Sequence, residues 1–144
     1  MANIREMTAG DLDRVIALLR QTAGVSVRDA DSKEALNRYL SRNPGFSFIA
    51  EDAGELAGFV MSGHDGRRGY LHHLILAPAH RNKGLATRLV DACLDKLETE
   101  GILKSHIDVF TSNGAAMEFW QKIGWQRRTD IVRYSLIRGG GENA

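Results

Sequence analysis

The sequence has little of what marks a secreted, membrane-bound or nucleic-acid-binding protein. Its 144 residues contain one cysteine and two prolines. A single cysteine excludes an internal disulfide, and we therefore expect a reducing, cytoplasmic setting. The formal net charge of +1 argues against a dedicated nucleic-acid binder, which is usually strongly basic. No apolar run reaches the length of a membrane span and the N-terminus lacks a signal-peptide pattern, so we expect no membrane partner.

Two familiar phosphate-binding patterns are absent as well. The Gly-x-x-x-x-Gly-Lys-Ser/Thr loop of nucleoside triphosphatases does not occur, and neither does the Gly-x-Gly-x-x-Gly fingerprint of dinucleotide-binding proteins. What is present is an ordinary globular composition, 43% hydrophobic and 26% charged. We predict a single domain over residues 1–138, followed by a flexible glycine-rich tail over residues 139–144.

A strand, a glycine-containing turn and a long helix follow one another in the middle of the chain. Residues 70–77 are rich in large and β-branched side chains, which predicts a strand, and Pro78 ends it. From Leu85 to Leu97 apolar residues recur at helical spacing, and Gly101 is placed to end that helix. The turn between them therefore opens directly onto a helix N-terminus.

The start of this helix is a candidate anion site. The first N–H groups of a helix have no intrahelical acceptor, and the helix dipole is positive there, which suits phosphate above all. Gly84 has no side chain, so the backbone can approach an anion closely. Positive charge is supplied around it by His80, Arg81, Lys83 and Arg88. The residues leave open the alternative that Gly84 merely opens a helix beside an ordinary basic surface.

Two motifs in this part of the chain resemble those of a known enzyme family. The first is Leu74-x-Leu76-x-Pro78-x-x-Arg81-x-x-Gly84-x-Ala86, and the second is Asn113-x-x-Ala116-x-x-Phe119-Trp120-x-x-x-Gly124-Trp125. Together they resemble the acyl-CoA-binding signature and the later asparagine element of the GCN5-related N-acetyltransferases (GNAT family). The resemblance covers about residues 46–137. The segment Asp65–Gly69 also looks like a bacterial subgroup, the YpeA-type acetyltransferases.

The resemblance implies an α/β fold of the GNAT type. Its mixed, mostly antiparallel central sheet has about 6–7 strands with one parallel pair, and about four helices flank it. The order of elements in the chain also predicts a parallel pair, because the strands that start at Tyr70 and Ser105 are joined by a helix. Further strands are predicted near residues 3–7, 46–51 and 56–63, and a final antiparallel hairpin over residues 125–128 and 131–137.

The resemblance also implies acetyl-CoA as co-substrate and no metal. The pyrophosphate would lie on backbone N–H groups, the pantetheine arm along the edge of the central strand, and the thioester carbonyl against a main-chain N–H. For Asn113, a contact with the pantetheine arm and a simple helix cap are both open. The predicted cofactor-binding residues are Leu74, Ile75, Leu76, Arg81, Asn82, Lys83, Gly84, Leu85, Ala86, Thr87, Asn113, Ala116, Phe119 and Trp120.

Acetyl transfer to an amine needs a group that accepts the amine's proton. His72 is the predicted catalytic base, because it stands where many members of the resembled family carry a glutamate; a structural histidine is the alternative. Neighbouring strand residues face opposite ways, so we expect His73 to point elsewhere, which also argues against a joint metal site. Trp120 stands where many family members carry a tyrosine that acts as general acid. Tyr134 is a candidate replacement by residue type alone.

These inferences predict an acetyl-CoA-dependent N-acetyltransferase that transfers directly to a primary amine in a ternary complex. The acceptor would be a small molecule or a peptide, and the protein a monomer or homodimer. One rival is a non-catalytic acyl-CoA-binding or protein-interaction module with the same fold, which turnover with any amine would exclude. Another is a different phosphate-ligand binder, which would bind a nucleotide without needing the pantetheine arm.

Overall fold

Five strands form one sheet in which each strand lies beside its neighbour in the sequence, in the order β1-β2-β3-β4-β5. The structure is a computed structural model that describes residues 1–144. The chain forms two compact units, Met1–Ile107 and Asp108–Ala144. The first unit contains β1 (Asn3–Glu6), α1 (Leu12–Gln21), α2 (Lys33–Arg42), β2 (Phe48–Asp52), β3 (Glu55–His64), β4 (Gly69–Leu76), α3 (Leu85–Thr99) and β5 (Ser105–Ile107). The second contains α4 (Gly114–Lys122). The single domain over residues 1–138 and the flexible tail stay predictions.

The sheet is antiparallel except at one edge. β1, β2, β3 and β4 pair in antiparallel fashion, whereas β4 and β5 are parallel, with Gly69 opposite Ser105 and Leu71 opposite Ile107. The predicted parallel pair is therefore confirmed, and so are four α-helices. Because β5 is short, it pairs only with the beginning of β4. The remainder of β4 has its ladder partner on the β3 side.

The two faces of the sheet are covered by different helices. One face packs against α1 and α2 in a hydrophobic core that includes Phe59, Met61 and Ile75. On the other face lies α3, whose Leu97 approaches Gly69 closely. α3 buries Leu85, Leu89, Val90, Cys93 and Leu97. The strands therefore present one set of side chains to the α1–α2 side and the alternate set to α3.

The helix boundaries follow from local signals in the sequence. Before α1, Asp11 accepts a hydrogen bond from the Thr8 N–H at 2.8 Å, which is half of a capping box. At the start of α2 the Ser32 hydroxyl accepts from the Ala35 N–H at 3.1 Å. α3 begins after Gly84 and is followed by Gly101, both with positive φ. A residue without Cβ is favoured at such positions.

The predicted final hairpin is wrong, and the sheet has five strands where about six to seven were expected. Residues 125–137 form no strand, and the large apolar side chains of residues 131–137 are exposed, namely Ile131, Val132, Tyr134, Leu136 and Ile137. The β-branched and aromatic composition of this segment shows only that its residues are compatible with a strand. A strand also needs a neighbour for its backbone hydrogen bonds, and composition does not supply one.

The single cysteine is a core residue. Cys93 is fully buried in α3, and burial raises the pKa of its thiol to about 12. Because the thiolate is the reactive form, this side chain is unsuited to nucleophilic chemistry. No helix in the structure combines the length and the apolar character that crossing a membrane requires.

A four-membered ion network joins β1, α1 and β2. Asp11, only 6% exposed, contacts Arg5 at 2.8 Å and Arg14 at 3.1 Å. Both arginines also contact Glu51, at 2.8 and 3.0 Å. The Arg5 guanidinium, with help from the Thr8 N–H, holds the pKa of Asp11 well below its usual range. A carboxylate with a lowered pKa stabilises the fold only while it is ionised.

We therefore expect Asp11→Asn to lower the free energy of unfolding by about 1–3 kcal/mol near neutral pH. Because the folded-state pKa lies below the ordinary value of 3.8, this stabilisation is present above that value and is lost as the pH falls below it. Urea unfolding of both proteins at about pH 7 and about pH 3 measures the effect. Asp13→Asn is the matched control, since Asp13 pairs with Lys33 while 79% exposed and should change little. A difference as large at about pH 3 as at about pH 7 would contradict this account.

Candidate functional site

The turn between β4 and α3 has the geometry of an anion cradle. Gly84 has φ +78° and Asn82 has φ +62°. The first backbone hydrogen bond of α3 runs from the Arg88 N–H to the Gly84 carbonyl at 3.2 Å. The N–H groups of Gly84 and of the next three residues therefore precede any intrahelical acceptor. A Cβ built on Gly84 would meet no atom within 4 Å, so the space above the turn is open.

Three of the four basic residues around this turn have hydrogen-bond or ion-pair partners within the protein. Arg81 donates from Nε to the Leu76 carbonyl at 3.3 Å, and Arg88 donates to the Ala2 carbonyl at 3.2 Å. His80 lies 3.8 Å from Asp52. Lys83 is exposed beside the turn. The cradle is thus formed mainly by the backbone, with the exposed Lys83 beside it.

The strand that leads into the cradle has one long edge without a partner from β5. β5 ends at Ile107, opposite Leu71, so it does not pair with residues 72–76 of β4. The predicted residues Leu74 and Leu76 are half-buried and Ile75 is buried. The Leu76 carbonyl is already engaged by Arg81. The Ile75 backbone belongs to the ladder with β3, so the backbone of Leu74 is the better placed part of this edge for an extended ligand.

A bulge in the middle of β4 brings the two neighbouring histidines to the same side. Met61 of β3 lies opposite His72, but Val60 lies opposite Leu74, so His73 is an extra residue. Its φ is +57°, a left-handed conformation that is uncommon for residues other than glycine. The expectation that His73 points away from His72 is wrong, because strand alternation is interrupted here.

Each histidine has a partner from the α1–α2 side. The Tyr39 hydroxyl of α2 lies 2.9 Å from His72 Nδ1. Asp31, just before α2, lies 2.6 Å from His73 Nε2. Asp31 is nearly buried and also accepts a hydrogen bond from the Arg28 N–H at 2.9 Å. Nowhere are three or more His, Cys, Asp or Glu side chains grouped so as to hold a metal ion.

The remaining predicted site residues lie in the second unit. Asn113 caps α4, and its Oδ1 accepts from the Ala116 N–H at 3.1 Å. Trp120 is 7% exposed and packs edge-on against Phe119 and Trp125. Tyr134 is 92% exposed and lies outside any strand. The cap on α4 is observed, while ligand contacts of this unit and an acid role for Tyr134 stay predictions.

Sequence reasoning missed three residues that shape this site. Nothing in the spacing of Asp31 and Tyr39 along the chain links them to the histidines. Gly58 lies opposite Leu76, and a Cβ there would come within 2.8 Å of the Ile75 carbonyl oxygen. A glycine inside a strand is the one available signal of such a close backbone approach.

Comparisons with known proteins identify a family and a solved structure of similar fold. A family model described as "Acetyltransferase (GNAT) family" matches residues 12–125. An acetyltransferase of Pectobacterium atrosepticum is 32% identical over 96 residues, which are 67% of this chain and 68% of that protein. N-alpha-acetyltransferase 30 of Schizosaccharomyces pombe is 31% identical over 110 residues, 73% of each chain. The PaiA N-acetyltransferase of Thermoplasma acidophilum, solved in complex with coenzyme A, superposes with a TM-score of 0.80 at 22% identity, over 88% of this chain and 90% of that one.

Proposed function

Because this chain belongs to the acetyltransferase (GNAT) family and is an N-acetyltransferase of that family, we propose that it moves an acetyl group from acetyl-CoA to a primary amine by direct transfer in a ternary complex. The observation that carries the proposal is the cradle at Gly84, at the end of a strand that has a free edge. The acceptor is a small-molecule or peptide amine. The likeness of residues 65–69 to YpeA-type proteins stays a prediction.

The residues of the first unit fit acetyl-CoA. The N–H groups at the start of α3 face an open space, and the helix behind them has 15 residues, so its dipole favours the negative charge of a pyrophosphate. Asn82, Lys83, Leu85, Ala86 and Thr87 supply the backbone around Gly84. When bound, acetyl-CoA supplies an activated thioester carbonyl. The N–H group of Leu74, on the edge of β4 that faces away from β3, is the candidate that orients the arm and polarises that carbonyl.

The chemistry also needs a group that takes the proton released by the attacking amine. β4 offers His72, the base predicted from the sequence, on the side that faces α2. A proton for the departing thiolate can come from solvent, so the tryptophan at position 120 does not by itself prevent turnover. Direct transfer requires neither a covalent enzyme intermediate nor a metal.

Turnover with a panel of amines tests the proposal. A peptide with a free N-terminal alanine, a spermidine sample and an aminoglycoside would each be mixed with acetyl-CoA, and release of the CoA thiol would be followed. We expect at least one amine to raise thiol release above the hydrolysis seen without acceptor. The peptide is placed first because one relative is named for acetylating α-amines. Binding of acetyl-CoA without turnover of any amine class would favour the non-catalytic module instead.

A further inference from the structure

We propose that His73, oriented by Asp31, is the residue that accepts the proton of the attacking amine, in place of its neighbour His72. The inference rests on the proposed acetyl transfer and names a proton acceptor for it. It starts from the bulge, which places both imidazoles on the α1–α2 side of β4 and so makes both of them candidates. What separates the two is the chemistry of their partners.

The partner of His73 is a carboxylate. Asp31 Oδ1 lies 2.6 Å from His73 Nε2, and an ionised carboxylate can only accept a hydrogen bond. Nε2 therefore carries the proton, and Nδ1 on the opposite edge of the ring keeps the lone pair that a base requires. Asp31 is itself held by the Arg28 N–H and its side chain is 9% exposed. The carboxylate is thus a fixed acceptor that defines the orientation of the ring.

The partner of His72 is a phenol. Burial raises the pKa of the Tyr39 hydroxyl above its ordinary value, so this group stays neutral. A hydroxyl can donate or accept, and the contact at 2.9 Å therefore leaves the tautomer of His72 undefined. The contact with Asp31 therefore fixes which nitrogen of His73 holds the lone pair, and the contact with Tyr39 does not do the same for His72.

The backbone points the same way. Left-handed φ at a residue with a Cβ is strained and is kept only where the surroundings enforce it. His73 has φ +57°, its ring is anchored by Asp31, and its side chain is still 22% exposed. The imidazole is therefore rigidly held and accessible at the same time, as a proton acceptor needs to be.

The reaction then balances as follows. The amine nitrogen attacks the thioester carbonyl carbon, a C–N bond forms and the C–S bond breaks. The proton lost by the nitrogen goes to Nδ1 of His73, while Nε2 keeps its hydrogen bond to Asp31. The thiolate leaves with the electron pair of the C–S bond and takes a proton from solvent. His73 returns its proton to solvent before the next turnover.

His73→Gly is the decisive variant, because glycine adopts positive φ readily and the change removes the ring without backbone strain. With the amine that the wild-type protein acetylates fastest in the panel, we expect kcat to fall by about 10²–10⁴. Added free imidazole should restore turnover in proportion to its concentration. His72→Ala should lose less, and imidazole should not restore what it loses. Calorimetry should show unchanged acetyl-CoA binding in both variants.

Asp31 acts through His73 as a positioning residue, and a double-mutant cycle tests this. Asp31→Asn alone should lower kcat with little change in KM for acetyl-CoA, but it should cost nothing further when combined with His73→Gly. A structural role for Asp31 would give an additive loss. Unchanged kcat in His73→Gly, or a loss that imidazole does not restore, would overturn the proposal.

A measurement on the free protein, which needs no turnover, separates this inference from the proposed function. In the free protein, long-range ¹H–¹⁵N spectra of the imidazoles should show His73 with hydrogen on Nε2 and none on Nδ1 at mildly alkaline pH. The opposite tautomer would overturn the inference whether or not any amine is acetylated. Failure of every amine in the panel, with this tautomer observed, would instead count against the proposed acetyl transfer.

Discussion

Gly84→Glu should weaken the binding of acetyl-CoA by about tenfold or more, a loss of about 1.4 kcal/mol or more. The substitution places a carboxylate in the open space above the first N–H groups of α3, where a pyrophosphate is proposed to lie. It removes the favourable field for an anion and adds like-charge repulsion. Isothermal titration calorimetry with acetyl-CoA measures the change directly.

Two controls separate charge from backbone strain in this experiment. Gly84→Ala introduces the strain of a side chain at φ +78° without the charge, so it should weaken binding less than glutamate does. Gly54→Glu adds the same charge at an exposed turn between β2 and β3, also with positive φ and open space around it. That variant should bind like the wild-type protein. If both variants lost the same amount of acetyl-CoA affinity, the turn at Gly84 would not be the binding site of the pyrophosphate.

Gly58→Ala should lower the free energy of unfolding by about 1–3 kcal/mol, the usual cost of overpacking. The new Cβ would lie 2.8 Å from the Ile75 carbonyl oxygen and 2.5 Å from a methyl carbon of Leu76. The leucine can move, but the carbonyl belongs to the ladder between β3 and β4. β4 must therefore shift at the residues proposed to receive the pantetheine arm, and acetyl-CoA binding should fall together with stability.

Urea unfolding and calorimetry on the same protein samples check both parts of this prediction. Gly10→Ala is the matched control, because its Cβ would meet only Thr8 Oγ1, at an ordinary distance of 3.7 Å. It should leave stability and binding close to those of the wild-type protein. If Gly58→Ala were destabilised but bound acetyl-CoA normally, the free edge of β4 would not be the binding site of the pantetheine arm.

Local chemistry made much of the first unit predictable. Helix starts are marked by the capping residues Thr8 and Ser32. The end of β4 is marked by Pro78, and the two ends of α3 by the glycines with positive φ at 84 and 101. The parallel pair follows from the strand–helix–strand order. Each of these signals depends on residues close together in the chain. That is why the cradle could be located from the sequence before the sheet was known.

What could not be predicted depends on pairing between distant segments. Residues 131–137 have a strand-like composition, yet no partner pairs with them. His73 occupies a bulge that only the register with Val60 and Met61 reveals, and its partner Asp31 is 42 residues away in the chain. The rule that side chains alternate between the two faces of a strand assumes a regular strand, so it cannot reveal an extra residue.

The bulge at His73 has a consequence for how this protein could diversify. Consecutive residues Met61 and Val60 already pair with His72 and Leu74, so the sheet would keep its register and its facing side chains if residue 73 were deleted. Residue 73 is not part of the hydrophobic core, so its side chain is constrained by the hydrogen bond to Asp31 and by its positive φ rather than by core packing. Residue 73 is therefore a place where selection can adjust the reaction while the pairing of the sheet stays constant.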